Sequence, residues 1–185
     1  MNNSDTLLPC VIFLTGLSGA GKTTLARQLN QRLHQEGHQP VVLDGDEIRE
    51  VMRVTGFDEA SRKNHNLSVG ALAALLERQG HMVIVALIAP YNEIRSQVRA
   101  MCRRFMEVYL STDIKTCMER DTKGLYKKAI AGEIKEFTGI SAPYEPPQHP
   151  ELVFDTAAIT VEECAATIIR YLKTRLNDRS MPANP

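Results

Sequence analysis

The run Gly16-Leu17-Ser18-Gly19-Ala20-Gly21-Lys22-Thr23 stands between an apolar stretch, 11–15, and an amphipathic segment, 24–33. That order reads as strand, glycine-rich loop and helix, and it forms a complete phosphate-binding loop. Glycines let successive backbone N–H groups turn inward around a polyphosphate, the helix N-terminus adds the positive end of its dipole, and the lysine neutralises charge on the terminal phosphates. The Thr23 hydroxyl is placed to hold Mg²⁺. A glycine turn ahead of an ordinary helix would share the composition, but not this agreement of motif and flanking elements.

At 185 residues the chain is expected to be a single domain, 1–185, long enough to bury a core. Lys plus Arg and Asp plus Glu number 22 each, so the net charge is zero and no nucleic-acid partner is expected. Basic residues cluster locally at 95–104 and 123–128, which also suits solvated helix faces. The four cysteines, Cys10, Cys102, Cys117 and Cys164, show no Cys-x-x-Cys spacing and read as reduced thiols. No Lys or Arg occurs in residues 1–21, so a secretory signal is not expected. The longest apolar run, 82–90, is too short to cross a bilayer. A cytoplasmic protein with no membrane partner is the expectation.

Strands are predicted at 11–15, 41–43 and 82–89, with weaker ones at 107–110 and 152–154. The third has no polar alternation, as a strand buried on both faces requires. Helical patterns fall at 24–35, 65–79, 93–103, 114–120 and 161–176, with Gly37 and Gly80 as stops and Thr160 with Glu163 as a capping box. Alternation of strand and helix predicts a three-layer α/β fold: a parallel sheet of about five strands with helices on both faces. Segment 121–150 is rich in Gly, Lys and Pro and lacks sustained periodicity, so it is expected to be a lid. The tail, 177–185, is polar and expected to be disordered.

Asp44-Gly45-Asp46 ends the second strand, where ligands of open α/β sheets bind, and Arg49 follows one helical turn later. Alone, Asp-Gly-Asp also fits a turn with a helix cap. Beside a phosphate loop it is a candidate for organising Mg²⁺ and accepting a hydroxyl proton.

With these motifs the chain resembles the adenylyl-sulfate kinase family from about residue 10 to about residue 172. Besides the loop, the matching residues are Leu43-Asp44-Gly45-Asp46 with Arg49, Gly56-Phe57, Arg62, Pro90-Tyr91 with Arg95, the runs 119–129 and 131–135, Phe137-Thr138-Gly139-Ile140, Pro143-Tyr144-Glu145 and 150–153. The resemblance implies a P-loop NTPase fold and transfer of the ATP γ-phosphate to the ribose 3′-hydroxyl of adenylyl sulfate, with Mg²⁺. It implies ATP contacts from Gly16, Leu17, Ser18, Gly19, Ala20, Gly21, Lys22, Thr23 and Thr24, with Lys22 and Asp46 catalytic and Thr23 and Asp46 at the metal. Acceptor contacts are implied for Asp44, Asp46, Arg49, Phe57, Arg62, His65, Ile88, Lys123, Lys127 and Phe137. Phe57 and Phe137 would sandwich the base, and a homodimer acting on small nucleotide substrates is implied as well.

The chain departs from the family pattern in four places. Ala89 replaces the serine before Pro-Tyr, a phosphoserine position in many members, so direct in-line transfer is expected. Asn64-His65-Asn66-Leu67-Ser68 stands where Glu-Asn-Ile-Arg-Arg is usual, which puts His65 at the acceptor-binding asparagine and removes two arginines. Glu136 replaces a glycine, and Asn92 an arginine. Most of these changes lie toward the acceptor. An enzyme phosphorylating another nucleotide-linked acceptor, such as a cytidine diphosphate derivative, therefore stays open, as does a non-catalytic nucleotide-binding module.

Overall fold

The computed structural model describes residues 7–176, and the polar tail at 177–185 lies outside the described residues. Five strands form one parallel sheet in the order β2-β3-β1-β4-β5: β1 Val11–Gly16, β2 Val41–Asp44, β3 Val83–Ala86, β4 Phe105–Leu110 and β5 Leu152–Phe154. β1 lies at the centre, Val11 pairing with Val83 on one side and Phe105 on the other. Helices α1 Lys22–Gln35, α2 Gly45–Val51, α3 Glu59–Arg78, α4 Asn92–Met101, α5 Ile114–Arg120, α6 Leu125–Ile130 and α7 Val161–Tyr171 fill the connections.

Side-chain alternation along the buried strands sorts two cores. Ile12, Leu14, Ile84, Ala86, Met106 and Val108 join Leu25, Leu29 and Leu33 of α1 and Ala165, Ile168 and Ile169 of α7. Val11, Phe13, Val83, Val85 and Phe105 join Val69 and Ala73 of α3 and Val98 of α4. The three layers predicted from alternation are therefore present. Gly70 is part of that fit, since a Cβ there would stand 2.4 Å from the Val98 side chain.

Several boundaries move for local reasons. β3 ends at Ala86 rather than 89, yet residues 87–89 stay in the interior and find other partners. Leu87 N–H donates to Leu14 O, and the carbonyls of Ile88 and Ala89 accept from Thr15 and Arg95. α3 starts at Glu59, not 65, because Asp58 caps it by accepting from Ser61 N–H. α2 and α6 were not predicted; Asp44 caps the first, and the Asp121 carboxylate takes the N–H groups of Tyr126 and Lys127 at the head of the second. The last helix passes into a π-helical turn, Leu172–Leu176. The capping box on Thr160 and Glu163 forms as predicted.

All four cysteines are buried and unpaired. Burial pushes the Cys10 and Cys102 thiols up to about 12 and Cys164 to about 11. No helix among the described residues is long and apolar enough to cross a membrane.

Leu29 is fully enclosed between α1 and the sheet. Leu29→Ala should cost about 2–5 kcal/mol of unfolding free energy, read as a lowered urea midpoint; a loss under about 1 kcal/mol would contradict that enclosure.

Candidate active site

The loop leaving β1 has backbone angles that side chains resist. Gly16 and Gly19 have φ of 149° and 76°, and a Cβ would meet the Leu110 carbonyl at 2.6 Å and the Cys117 carbonyl at 2.9 Å. Glycine at these positions relieves both strain and collision. The chain then enters α1 directly, and no side chain caps the helix start. An anion is the natural partner for such an N-terminus.

Lys22 is partly buried and folds back over the loop, its ammonium donating to the carbonyls of Gly16 at 2.9 Å and Leu17 at 2.7 Å. Desolvation lowers its pKa to about 8, only partly offset by the carboxylates of Asp46 and Asp44. Thr24, two residues on, is exposed at the helix start.

Thr23 meets a carboxylate, and it is Asp44 rather than Asp46. The Thr23 hydroxyl donates to Asp44 Oδ2 at 2.7 Å, while Asp44 Oδ1 accepts from Asp46 N–H at 3.0 Å. Asp44 is buried at the end of β2, whereas Asp46 sits on the first turn of α2, exposed and paired with Lys123. Magnesium takes oxygen ligands and keeps several of its own waters, so one hydroxyl and one carboxylate beside a polyphosphate suit it. Among the described residues, no cluster of three His, Cys, Asp or Glu side chains offers a protein-only metal cage.

The other predicted residues gather beyond α2. Arg49 donates to the Gly56 carbonyl at 2.6 Å and stacks 4.6 Å from the centre of the exposed Phe57 ring. Arg49, Phe57, Asp46, Glu50, Arg53, Val54 and Thr55 line a cavity of about 430 Å³. Arg62 is buried and braces two segments distant in sequence, donating to the Phe57 carbonyl, the Thr138 hydroxyl and the Glu136 carbonyl. Phe137 lies between the last two and packs edge-on against Tyr126, with ring centres 5.0 Å apart.

His65, where the sequence pattern begins a helix, instead falls inside one. It is 4% exposed and lies within α3, its Nε2 3.1 Å from the Gly45 carbonyl. A carbonyl can only accept, so Nε2 carries the proton and the unpartnered Nδ1 of the neutral ring is an acceptor. Burial and then the Arg49 charge lower its pKa, which favours that neutral ring. The Ile88 carbonyl is taken by Thr15. Lys123 reaches Asp46 from the segment 121–150, and Lys127 is exposed on α6.

Three contacts on the loop were not singled out from sequence. Arg120 donates to the Gly19 carbonyl and to Thr156, Thr156 donates to the Ala20 carbonyl, and the Tyr126 hydroxyl donates to the Ser18 carbonyl. Each bond to a loop carbonyl joins residues over a hundred positions apart in sequence. Only the specific 119–129 run marked two of them.

Residues 8–155 match the family model for adenylylsulphate kinase. The adenylyl-sulfate kinase of Geotalea uraniireducens is 45% identical over 173 residues, 92% of this chain and 83% of that one. That of Bacillus licheniformis is 47% identical over 166 residues, covering 88% and 84%. Among solved structures, the Mycobacterium tuberculosis APS kinase in complex with AMPPNP and APS superposes with a TM-score of 0.86 at 35% identity, covering 91% of this chain and all of that one.

The lowered Lys22 pKa has a testable sign. Its charge is present below about 8 and lost above it, and phosphate oxygens stabilise the charged form, raising the pKa in the complex. Affinity for ADP should therefore be level below that pH and fall above it, approaching about tenfold per pH unit, with proton uptake seen by calorimetry in buffers of different ionisation heat. A flat profile through pH 9 would mean that Lys22 does not titrate in the free protein.

Proposed function

The chain belongs to the adenylylsulphate kinase family, and on that premise we infer that it transfers the γ-phosphate of ATP to the ribose 3′-hydroxyl of adenylyl sulfate, giving 3′-phosphoadenylyl sulfate. One observation carries the reading beyond the family match. The phosphate loop and the lid segment both bond to one carboxylate-bearing turn, Thr23 to Asp44 and Lys123 to Asp46, and the helix that follows the turn carries Arg49 stacked on Phe57.

Phosphoryl transfer asks a protein for positioning and for cationic clamping. The amides of residues 16–23 would hold the ATP phosphates, and Lys22 would leave its two carbonyls to follow the charge that builds on the transferring group. Thr23 and Asp44 are the residues that would hold Mg²⁺. When bound, it screens the phosphate charge and orients the oxygens in transfer. Asp46 would then be free of the metal and would orient the acceptor hydroxyl or take its proton, with Lys123 steadying the carboxylate.

On the acceptor side, Arg49 and Arg62 would meet the anionic groups while Phe57 and Phe137 would hold the base by stacking, at roughly 1–3 kcal/mol per stacked base. His65, buried beneath the Asp44-Gly45-Asp46 turn, would hold that turn in place under the acceptor. The segment 121–150, carrying Lys123 and Lys127, would close over the reactants and keep water from the γ-phosphate.

Ala89 bears on the route. It is 1% exposed, has φ of 43° and carries no hydroxyl, so no covalent phosphoserine forms there. Transfer should be direct, and rapid-quench labelling with ATP labelled in the γ-phosphate should trap no phosphoenzyme. A labelled protein that forms and decays at the turnover rate would refute this.

The function is tested by assaying ATP consumption side by side with adenylyl sulfate and with cytidine diphosphate derivatives. Turnover is expected with adenylyl sulfate, and Lys22→Ala should lower kcat by roughly a hundred- to a thousandfold with an unchanged melting curve. Turnover with a cytidine acceptor alone would transfer the same chemistry to another substrate. Silence with every acceptor would point to a binding module.

A further inference from the structure

Glu136 joins two features that loop residues rarely combine. Its φ is 53°, in the left-handed region where glycine is unstrained and a side chain is not. Its carboxylate stands 3.7 Å from the Arg62 guanidinium, the same group that grips the Glu136 carbonyl, the Thr138 hydroxyl and the Phe57 carbonyl.

Burial divides the pair unequally. The Arg62 side chain is 11% exposed, while that of Glu136 is 54% exposed. The guanidinium is thus largely committed to protein acceptors, and the exposed carboxylate is an anion already beside it. An anion drawn to Arg62 therefore shares the cation with that negative charge.

We propose that Glu136 sets acceptor specificity by competing internally for Arg62, disfavouring acceptors in proportion to the negative charge they bring to that guanidinium. The proposal rests on the acceptor-side reading of Arg62, Phe57 and Phe137. A carboxylate that is already in place must turn aside, or be tolerated as a like charge, before a sulfate or phosphate group can share the cation. The base clamp is not affected, because the bonds from Arg62 to the Phe57 and Glu136 carbonyls involve backbone and persist whatever the side chain at 136. The Glu136 charge therefore discriminates by acceptor charge, separately from recognition of the base.

The test is calorimetric titration of adenylyl sulfate, and separately of neutral adenosine, into the wild-type protein, Glu136→Gln and Glu136→Gly, each with ADP and Mg²⁺ present. Glu136→Gln keeps the backbone strain and removes the charge. It should bind adenylyl sulfate roughly two- to fivefold tighter, the range of a partly exposed ion pair, with adenosine unchanged and the gain shrinking as salt is added. The ATP KM should not move. Glu136→Gly removes the same charge and should gain at least as much.

Equal adenylyl sulfate affinity in the wild type and Glu136→Gln would overturn the proposal. So would an equal gain for adenosine, which would place the effect at the base, or a gain confined to Glu136→Gly, which would place it in backbone strain. Wild-type protein that binds ADP but not adenylyl sulfate would remove the acceptor reading, and this proposal with it. Urea unfolding of each variant establishes that the titrated protein is folded.

Discussion

The site depends on a strand that cannot move. β1 is hydrogen-bonded along both edges, to β3 and to β4, and packs against a separate core on each face. Displacing it by one residue would break two ladders and exchange every buried side chain between the two cores. Its last residue, Gly16, opens the loop against the Leu110 carbonyl of the neighbouring strand, so the loop inherits the rigidity of the sheet centre. Donors aimed at a developing charge gain most when they need not reorganise, and this placement provides that.

The segment 121–150 is anchored at its two ends and also within, where Arg62 holds Glu136 and Thr138. Arg120, just before it, ties to Gly19 and Thr156, and Asp121 holds the first turn of α6. At the far end Arg99 pairs with Glu151 at 2.6 Å, and the Glu151 carboxylate also accepts from Glu107 N–H. The Arg95 Nε atom lies 2.8 Å from Glu107 Oε1, an ion pair whose angle departs from a hydrogen bond, and Arg95 also holds the carbonyls of Ala89 and Glu145. A buried network of this kind contributes little net stability but is costly to leave half-made, so it favours one arrangement of these loops over others. Between the anchors, residues 131–136 are mostly exposed.

Local features of the chain were readable where local physics governs. The phosphate loop, the strands, the Thr160 capping box and α5 follow from spacing and residue type over a few positions. Errors arise where distant parts of the chain decide. Residues 82–89 read as one apolar strand, yet the ladder ends at Ala86 because Arg95 and Thr15 take the carbonyls that follow. The polar start of α3 hides its periodicity, because Arg62, His65 and Asn66 are buried against other segments rather than in an apolar core. The choice between Asp44 and Asp46 at Thr23 turns on which carboxylate the strand end points inward, and neighbouring acids in a sequence do not reveal that. The bracing by Arg62 joins positions more than seventy residues apart, and a single sequence has no periodic signature for it.

The sealed cysteines have a consequence for how this molecule meets its surroundings. Thiolates, not thiols, react with electrophiles and peroxides, and burial both raises the cost of forming a thiolate and blocks approach. Its cysteine sulfurs serve as small hydrocarbon-like filler, shielded from glutathione and alkylating metabolites for as long as the chain stays folded, and the exposed thioethers of Met52 and Met101 are left as the sulfurs that peroxide can reach.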